Sequence, residues 1–330
     1  MHTPARSRSA AVTLRWAVAA IACCLAAALS AAGYTLMSRA TPGHPGRAGR
    51  RPQGAATASP AGPASAGGLA APPTAHPSPP PAQICPAHAA LVAALAPVLR
   101  QRTGQLAVGV TDLSTHVSAT YHPRQAFHTA SIVKADILAT LLLQLQRQHA
   151  GLSLDEQDLA TAMIEESDNG AAQSLWDIIG AASGLAAGDQ VLRLRHTVPG
   201  VDGYWGLTST TVPDQLRLLS ALTSHRSPLT AASRRYELGL MRSVETGQNW
   251  GVPAAAGRGT QYAVKNGWMP DGPLGLWDIN SIGVVSRHGQ RLLIAVLSGD
   301  QPSEQGGIDQ VQAAAKAAAA AFTRPDCAHR

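Results

Sequence analysis

Residues 38 to 83 consist mostly of Pro, Ala, Gly and Ser and hold almost no large apolar side chain. Such a tract cannot bury a core, so it reads as an extended spacer. Whatever folds must then be assembled from residues 85 to 330. Ahead of the spacer, residues 16 to 37 form an uncharged stretch that follows Arg6, Arg8 and Arg15. A helix of that length can cross a hydrocarbon core of about 30 Å. Small residues near Ser30 also fit the cleavage site of an export signal. The expected organisation is a signal peptide or membrane anchor over 1–37, a Pro/Ala/Gly linker over 38–84, and one domain over 85–330. Either reading of the first segment makes the domain extracytoplasmic, membrane-anchored or secreted. The "AIAC" ending at Cys23 is a poor lipidation box, because alanine stands where a larger aliphatic residue is usual.

Charge divides along the same boundary. Residues 1 to 84 contain seven arginines and no acid, whereas residues 85 to 330 hold 19 Lys+Arg against 20 Asp+Glu. The basic character belongs to the N-terminal segment, and no basic patch with interleaved aromatics argues for nucleic acid as a partner. Cys23 and Cys24 read as small apolar residues of the apolar stretch. Cys85 and Cys327 bracket the domain, and in an exported protein they are candidates for a disulfide. That pairing requires the two ends of the domain to meet. The 12 histidines show no metal-ligand spacing, so no metal or other cofactor is expected.

Within the domain, "AHAALVAALAPVLRQR" repeats apolar residues with a helical period. "LAVGVTD" and "HVSATYH" read as two strands around a turn. Helical text runs from Ser131 to Gln148 and from Ser153 to Gly180. "QYAVKNGW", "WDINSIGVVSR" and "RLLIAVLSG" read as three late strands, and "IDQVQAAAKAAAAAF" as a closing helix. Strands at both ends with helices between them describe one sheet completed by both halves of the chain, with the helical block inserted.

Only three of the 26 basic residues are lysines: Lys134, Lys265 and Lys316. Lys134 stands three residues after Ser131 in "FHTASIVKADILATLL", and residues three apart share one helix face. A serine hydroxyl becomes a nucleophile when a neighbouring base takes its proton. A desolvated lysine can be that base, and arginine cannot. By itself the pair is also a common accident of composition. "EESDNGAAQ" places Ser167, Asp168 and Asn169 between two helical runs, where S-D-N alone is ordinary N-cap text. "YAVKNGW" places Lys265, Asn266, Gly267 and Trp268 at a strand end. Two of the three lysines and two of the four asparagines thus fall in three short boxes, in the order S-x-x-K, S-D-N, K-x-G.

Over residues 86 to 322 this set resembles the class A β-lactamase and penicillin-binding serine hydrolase family. "FHTASIVK" is similar to that family's entry to the nucleophile helix. "TSTTVPDQLRLLSAL" resembles the helix start after its omega loop, and "MRSVETGQNWGVPAAAGRGTQYAVKNG" its approach to the third box. The resemblance implies an α/β (α+β) fold: an antiparallel sheet flanked by N- and C-terminal helices, plus an inserted all-helical domain. It also implies an acyl-transfer site without a cofactor, in a monomer. Ser131 would attack the amide carbonyl, Lys134 would take its proton, and Ser167 would pass a proton to the leaving nitrogen. Lys265 would hold the substrate carboxylate, and Asn169 would bond its side-chain amide. Backbone N–H groups of Ser131 and Trp268 would form the oxyanion hole. The implied partner is a small-molecule β-lactam or a peptidoglycan-like peptide.

Three departures qualify what that site would do. The third box reads K-N-G, so Asn266 supplies an amide beside Gly267 where a hydroxyl usually meets the carboxylate. The interval from Ser131 to Ser167 is short. The loop that carries a water-activating glutamate in class A enzymes reads "HTVPGVDGYWGL", with no glutamate. Asp202 is its one acid and a candidate deacylation base, with His196 the other candidate. These features point to acylation with slow deacylation. Two further readings stand beside it: a non-catalytic cell-surface binding module, and a penicillin-binding peptidase or esterase with little β-lactamase activity.

Overall fold

The computed structural model describes residues 86–201 and 203–322. The readings made for the 1–37 segment, the 38–84 tract, Cys85, Cys327 and Asp202 fall outside the described residues. Among the described residues, no helix is long and apolar enough to cross a membrane.

The framework is a five-stranded antiparallel sheet of β1 (Gln105–Asp112), β2 (Ser118–Tyr121), β5 (Tyr262–Asp271), β6 (Leu276–Arg287) and β7 (Gln290–Gln301), in the order β2-β1-β7-β6-β5. The two halves of the chain therefore interleave, because β1 lies hydrogen-bonded between β2 and β7. The middle of β7 is buried without a break from Leu292 to Gly299, as expected of a strand covered on both faces. Its alternate side chains part into two cores. Leu292, Ile294 and Val296 join Leu106, Val108 and Val110 on one face. Leu293, Ala295 and Leu297 join Ala107 on the other.

The first face is covered by α1 (Pro86–Arg100) and α8 (Glu304–Phe322), which also pack on each other. Alanines at 314, 315, 318 and 319 let α8 approach closely, and all four are buried. The expected meeting of first and last helices is therefore present.

The second face carries the helical block: α2 (Val133–Arg147), α3 (Leu154–Thr161), α4 (Asn169–Ile179), α5 (Ala181–Leu192), α6 (Val212–Thr223) and α7 (Ala231–Arg242). Two details go beyond the sequence expectation. A small second sheet pairs β3 (Ala126–His128) with β4 (Ser209–Thr211). Three-residue strands leave too little alternation to be read. The junction read between the two helical runs of 153–180 also takes a particular form. A π-turn spans Ala162–Glu166, and Ser167 takes the left-handed conformation at φ 57° before α4 begins.

Asp136, Asp189, Asp214 and Glu237 lie inside this helical block and are all buried. Burial first, then the neighbouring Asp189, hold the Asp136 carboxyl well above the usual range. Burial above all raises Asp189 to about 7. An acid whose folded pKa is raised contributes most at low pH and loses that contribution as pH climbs toward the folded value. Asp189→Asn is therefore expected to raise Tm by a few degrees at pH 8, and by less at pH 5. Thermal unfolding at the two pH values measures the difference.

Candidate active site

Ser131 lies in a 3-10 turn, Ala130–Ile132, immediately ahead of α2. Ala130 has φ 46°, an uncommon backbone for an alanine. The turn is held from both sides. Thr129 N donates to Thr208 O (2.8 Å) and its hydroxyl to Gly206 O (3.3 Å). From the sheet, Asn280 Nδ2 donates to His128 O (2.8 Å) and Thr129 O (3.1 Å). Ser131 remains partly exposed.

One turn beyond Ser131, as the second residue of α2, Lys134 is fully buried. Its Nζ donates to Ser167 O (2.7 Å), Ser167 Oγ (3.1 Å) and Asn169 Oδ1 (2.8 Å). The left-handed turn at Ser167 sets up this geometry, since it leaves both the carbonyl and the hydroxyl of one residue facing the amine. Asp168 is the actual N-cap of α4, its Oδ1 accepting from Ala171 N at 2.7 Å. The S-D-N box thus caps a helix with its middle residue and meets Lys134 with the other two.

From β5, Lys265 Nζ donates to Ser167 Oγ (3.0 Å) and to Asn266 O (3.2 Å). The two amines therefore share one hydroxyl. Desolvation lowers Lys134 to about 7, against the opposing pull of Asp168. Desolvation, then the charge of Lys134, hold Lys265 well below the ordinary lysine value. Two ammonium groups on one serine repel, so the pair favours carrying fewer than two protons.

Gly267 explains how β5 comes so near the nucleophile turn. A Cβ there would stand 2.6 Å from Thr129 O, 2.7 Å from Ile132 N and 2.8 Å from Ser131 N. Trp268 is half-buried and packs edge-on to Trp250, with centroids 5.9 Å apart. Asn266 departs from the outward amide expected of K-N-G. It is buried, and its Nδ2 donates to Gln248 O (2.7 Å) and Trp250 O (3.1 Å). Its donors tie down the 248–250 segment and are not free for a carboxylate. His196 is exposed, and its backbone N–H donates to Asp214 Oδ2 (2.6 Å).

Two residues at the site were not singled out from sequence. Trp205 presents its ring to Lys134, with Nζ 4.9 Å from the centroid. Asn280 anchors the nucleophile turn, and the scarcity of asparagine in the chain (four in all) was the available signal.

A model of the family described as "Beta-lactamase enzyme family" matches residues 143–322. The match includes Ser167, Asn169 and Lys265 and begins after Ser131 and Lys134. A Mycobacterium tuberculosis (strain ATCC 25618 / H37Rv) protein, named as a candidate lipoprotein, LppW, is 32% identical over 173 residues, 50% of this chain and 54% of that protein. The chain thus aligns with about half the length of the curated relatives it matches. Among solved structures, a β-lactamase from Burkholderia vietnamiensis aligns with TM-score 0.62 and 21% identity, over 72% of this chain and 98% of that one. A representative class A β-lactamase from Bacteroides cellulosilyticus DSM 14838 gives 0.63 and 14%, over 72% and 98%. The fold is β-lactamase-like, and the family model covers more than half of the chain. The chain belongs to the beta-lactamase enzyme family.

Proposed function

We propose that the chain is an exported serine hydrolase, acylated at Ser131 by β-lactams or acyl-D-alanine amides and slow to release the acyl group. The observation that carries this is the shared hydroxyl of Ser167, bonded at 3.1 Å to Lys134 and at 3.0 Å to Lys265. Ser131 Oγ bonds to the carbonyl carbon and its proton passes to Lys134. Ser167 hands its own proton to the departing nitrogen and recovers one from Lys134. Lys265 keeps the Ser167 hydroxyl oriented and favours a substrate carboxylate. Asn169 and the backbone N–H groups of Ser131 and Trp268 complete substrate binding. The lipoprotein name of the mycobacterial relative supports an extracytoplasmic, membrane-attached setting.

Slow release is supported by the 196–208 loop, which supplies no glutamate and sets the Trp205 ring over Lys134. Asp202 remains the carboxylate proposed as the deacylation base. A second reading, an esterase with little β-lactamase activity, is favoured by Asn266, whose amide donors are committed to the 248–250 carbonyls.

The test is mass spectrometry of the purified chain after benzylpenicillin, with nitrocefin turnover alongside. Expected are a single adduct on the Ser131 peptide and a burst of nitrocefin hydrolysis followed by a slow steady state. No adduct, together with cleavage of short-chain aryl esters, selects the second reading. Absence of every covalent product overturns both and leaves a binding module.

The acylation rate has an expected pH profile. Lys134 acts as base only after losing its proton, so the rate rises with pH and reaches half its plateau near the Lys134 value of about 7. Adduct formation timed between about pH 5.5 and 8.5 measures it. A rate that falls over this range would contradict Lys134 as base.

A further inference from the structure

Away from the lysine pair, a cavity of about 180 Å³ is lined by His128, Asp271, Asp278 and Asp300, among others. His128 ends β3, Asp271 ends β5, Asp278 lies near the start of β6 and Asp300 near the end of β7. His128 Nδ1 stands 2.8 Å from Asp271 Oδ2 and 3.5 Å from Asp278 Oδ2. One ligand atom from each of these three residues falls within 4.8 Å of the others. Ligands on one zinc ion at about 2.0–2.2 Å stand roughly 3.3 Å apart in a tetrahedral set. The three atoms therefore need only small movements to close on one ion.

Two independent observations mark the cluster as short of positive charge. Asp278 is 5% exposed, lines the cavity, and its Oδ2 accepts no hydrogen bond. A buried carboxylate oxygen left in that state is costly. Among the described residues, no lysine or arginine forms an ion pair with Asp271, Asp278 or Asp300. Gly299 keeps the space open, since a Cβ there would come within 2.8 Å of Asp278 Oδ1.

We propose that His128, Asp271 and Asp278 form a binding site for a divalent transition-type cation, with Zn²⁺ the best match to one imidazole and two carboxylates. Two carboxylates neutralise a divalent charge, and the nitrogen ligand favours zinc over calcium or magnesium. The ligands come from three strands at positions 128, 271 and 278, so no local sequence spacing announces them. The ion would clamp β3 to the ends of β5 and β6. Because β3 leads into Ser131 within three residues, the clamp is structural support for the nucleophile turn rather than part of the chemistry.

The test uses the full chain, stripped with EDTA and dialysed, titrated with Zn²⁺ by calorimetry and followed by thermal unfolding. Expected are one saturable site and a Tm that rises with Zn²⁺. His128→Ala and Asp278→Asn each weaken that site by about tenfold or more and remove the Tm response. Asp309→Asn, an exposed carboxylate on α8, is the control and keeps both. Circular dichroism before titration establishes that each variant is folded. A variant that fails to fold is replaced by Asp271→Asn, with the same expectation. Absence of a saturable Zn²⁺ site in the unaltered chain overturns the proposal. So does a site that survives in both folded variants, which would assign binding to other histidines. Saturation by Ca²⁺ or Mg²⁺ but not Zn²⁺ overturns the transition-metal assignment.

Discussion

Ser131→Ala is expected to leave no covalent adduct with benzylpenicillin at any pH, while Tm stays within about 2 °C of the unaltered chain. The argument rests on what the hydroxyl does and does not do. None of the hydrogen bonds that join Lys134, Ser167 and Lys265 uses it. The turn is held by Thr129, Asn280 and Gly206 instead. Removing one oxygen from a partly exposed position should therefore spare the scaffold and delete only the nucleophile. Mass spectrometry and thermal unfolding on one preparation give both readouts. An adduct that persists on another residue would show that the reactive serine has been misassigned.

Gly267→Val should damage both scaffold and chemistry. Any Cβ at this position meets three backbone atoms of the nucleophile turn at 2.6 to 2.8 Å, and backbone cannot rotate away as a side-chain tip can. The strand or the turn must shift, at a cost of about 1–3 kcal/mol or more. The shift moves Ser131 N away from β5, so acylation should slow by about 100-fold or more if that N–H stabilises the oxyanion. Gly267→Ala should show the same loss to a smaller degree. Urea unfolding gives the first quantity and adduct-formation kinetics the second. Unchanged acylation in a destabilised Gly267→Val chain would separate the strand contact from catalysis.

Much of this site was legible in sequence, because the three boxes are short and their residue types are scarce in this chain. Lys134 and Lys265 stood out against an arginine-rich background, and the structure brings both to Ser167. The sheet was legible too, since β7 holds an apolar run and the late strands are parted by Gly-containing turns. What stayed hidden lies in contacts between distant segments. The burial of Asn266 depends on the 248–250 carbonyls, and no local pattern reports them. Trp205 reaches Lys134 from a loop 71 residues further along the chain. The break at Ser167 was read as a junction, but its left-handed backbone follows from the π-turn before it, which has no sequence signature. In the nucleophile segment, the expected helix from Ser131 begins in fact at Val133, after a 3-10 turn.

The place of β1 in the sheet has a consequence for biogenesis. Its neighbour β7 ends at Gln301, almost 190 residues after β1 itself ends at Asp112. A polypeptide delivered amino-terminus first cannot satisfy that edge until nearly all of it has emerged. β1 can pair early with β2, but its other edge must wait, open to proteases or to other chains. A product terminated before residue 290 lacks the one partner that completes the framework, so it should be cleared by the cell rather than accumulate as a half-active fragment.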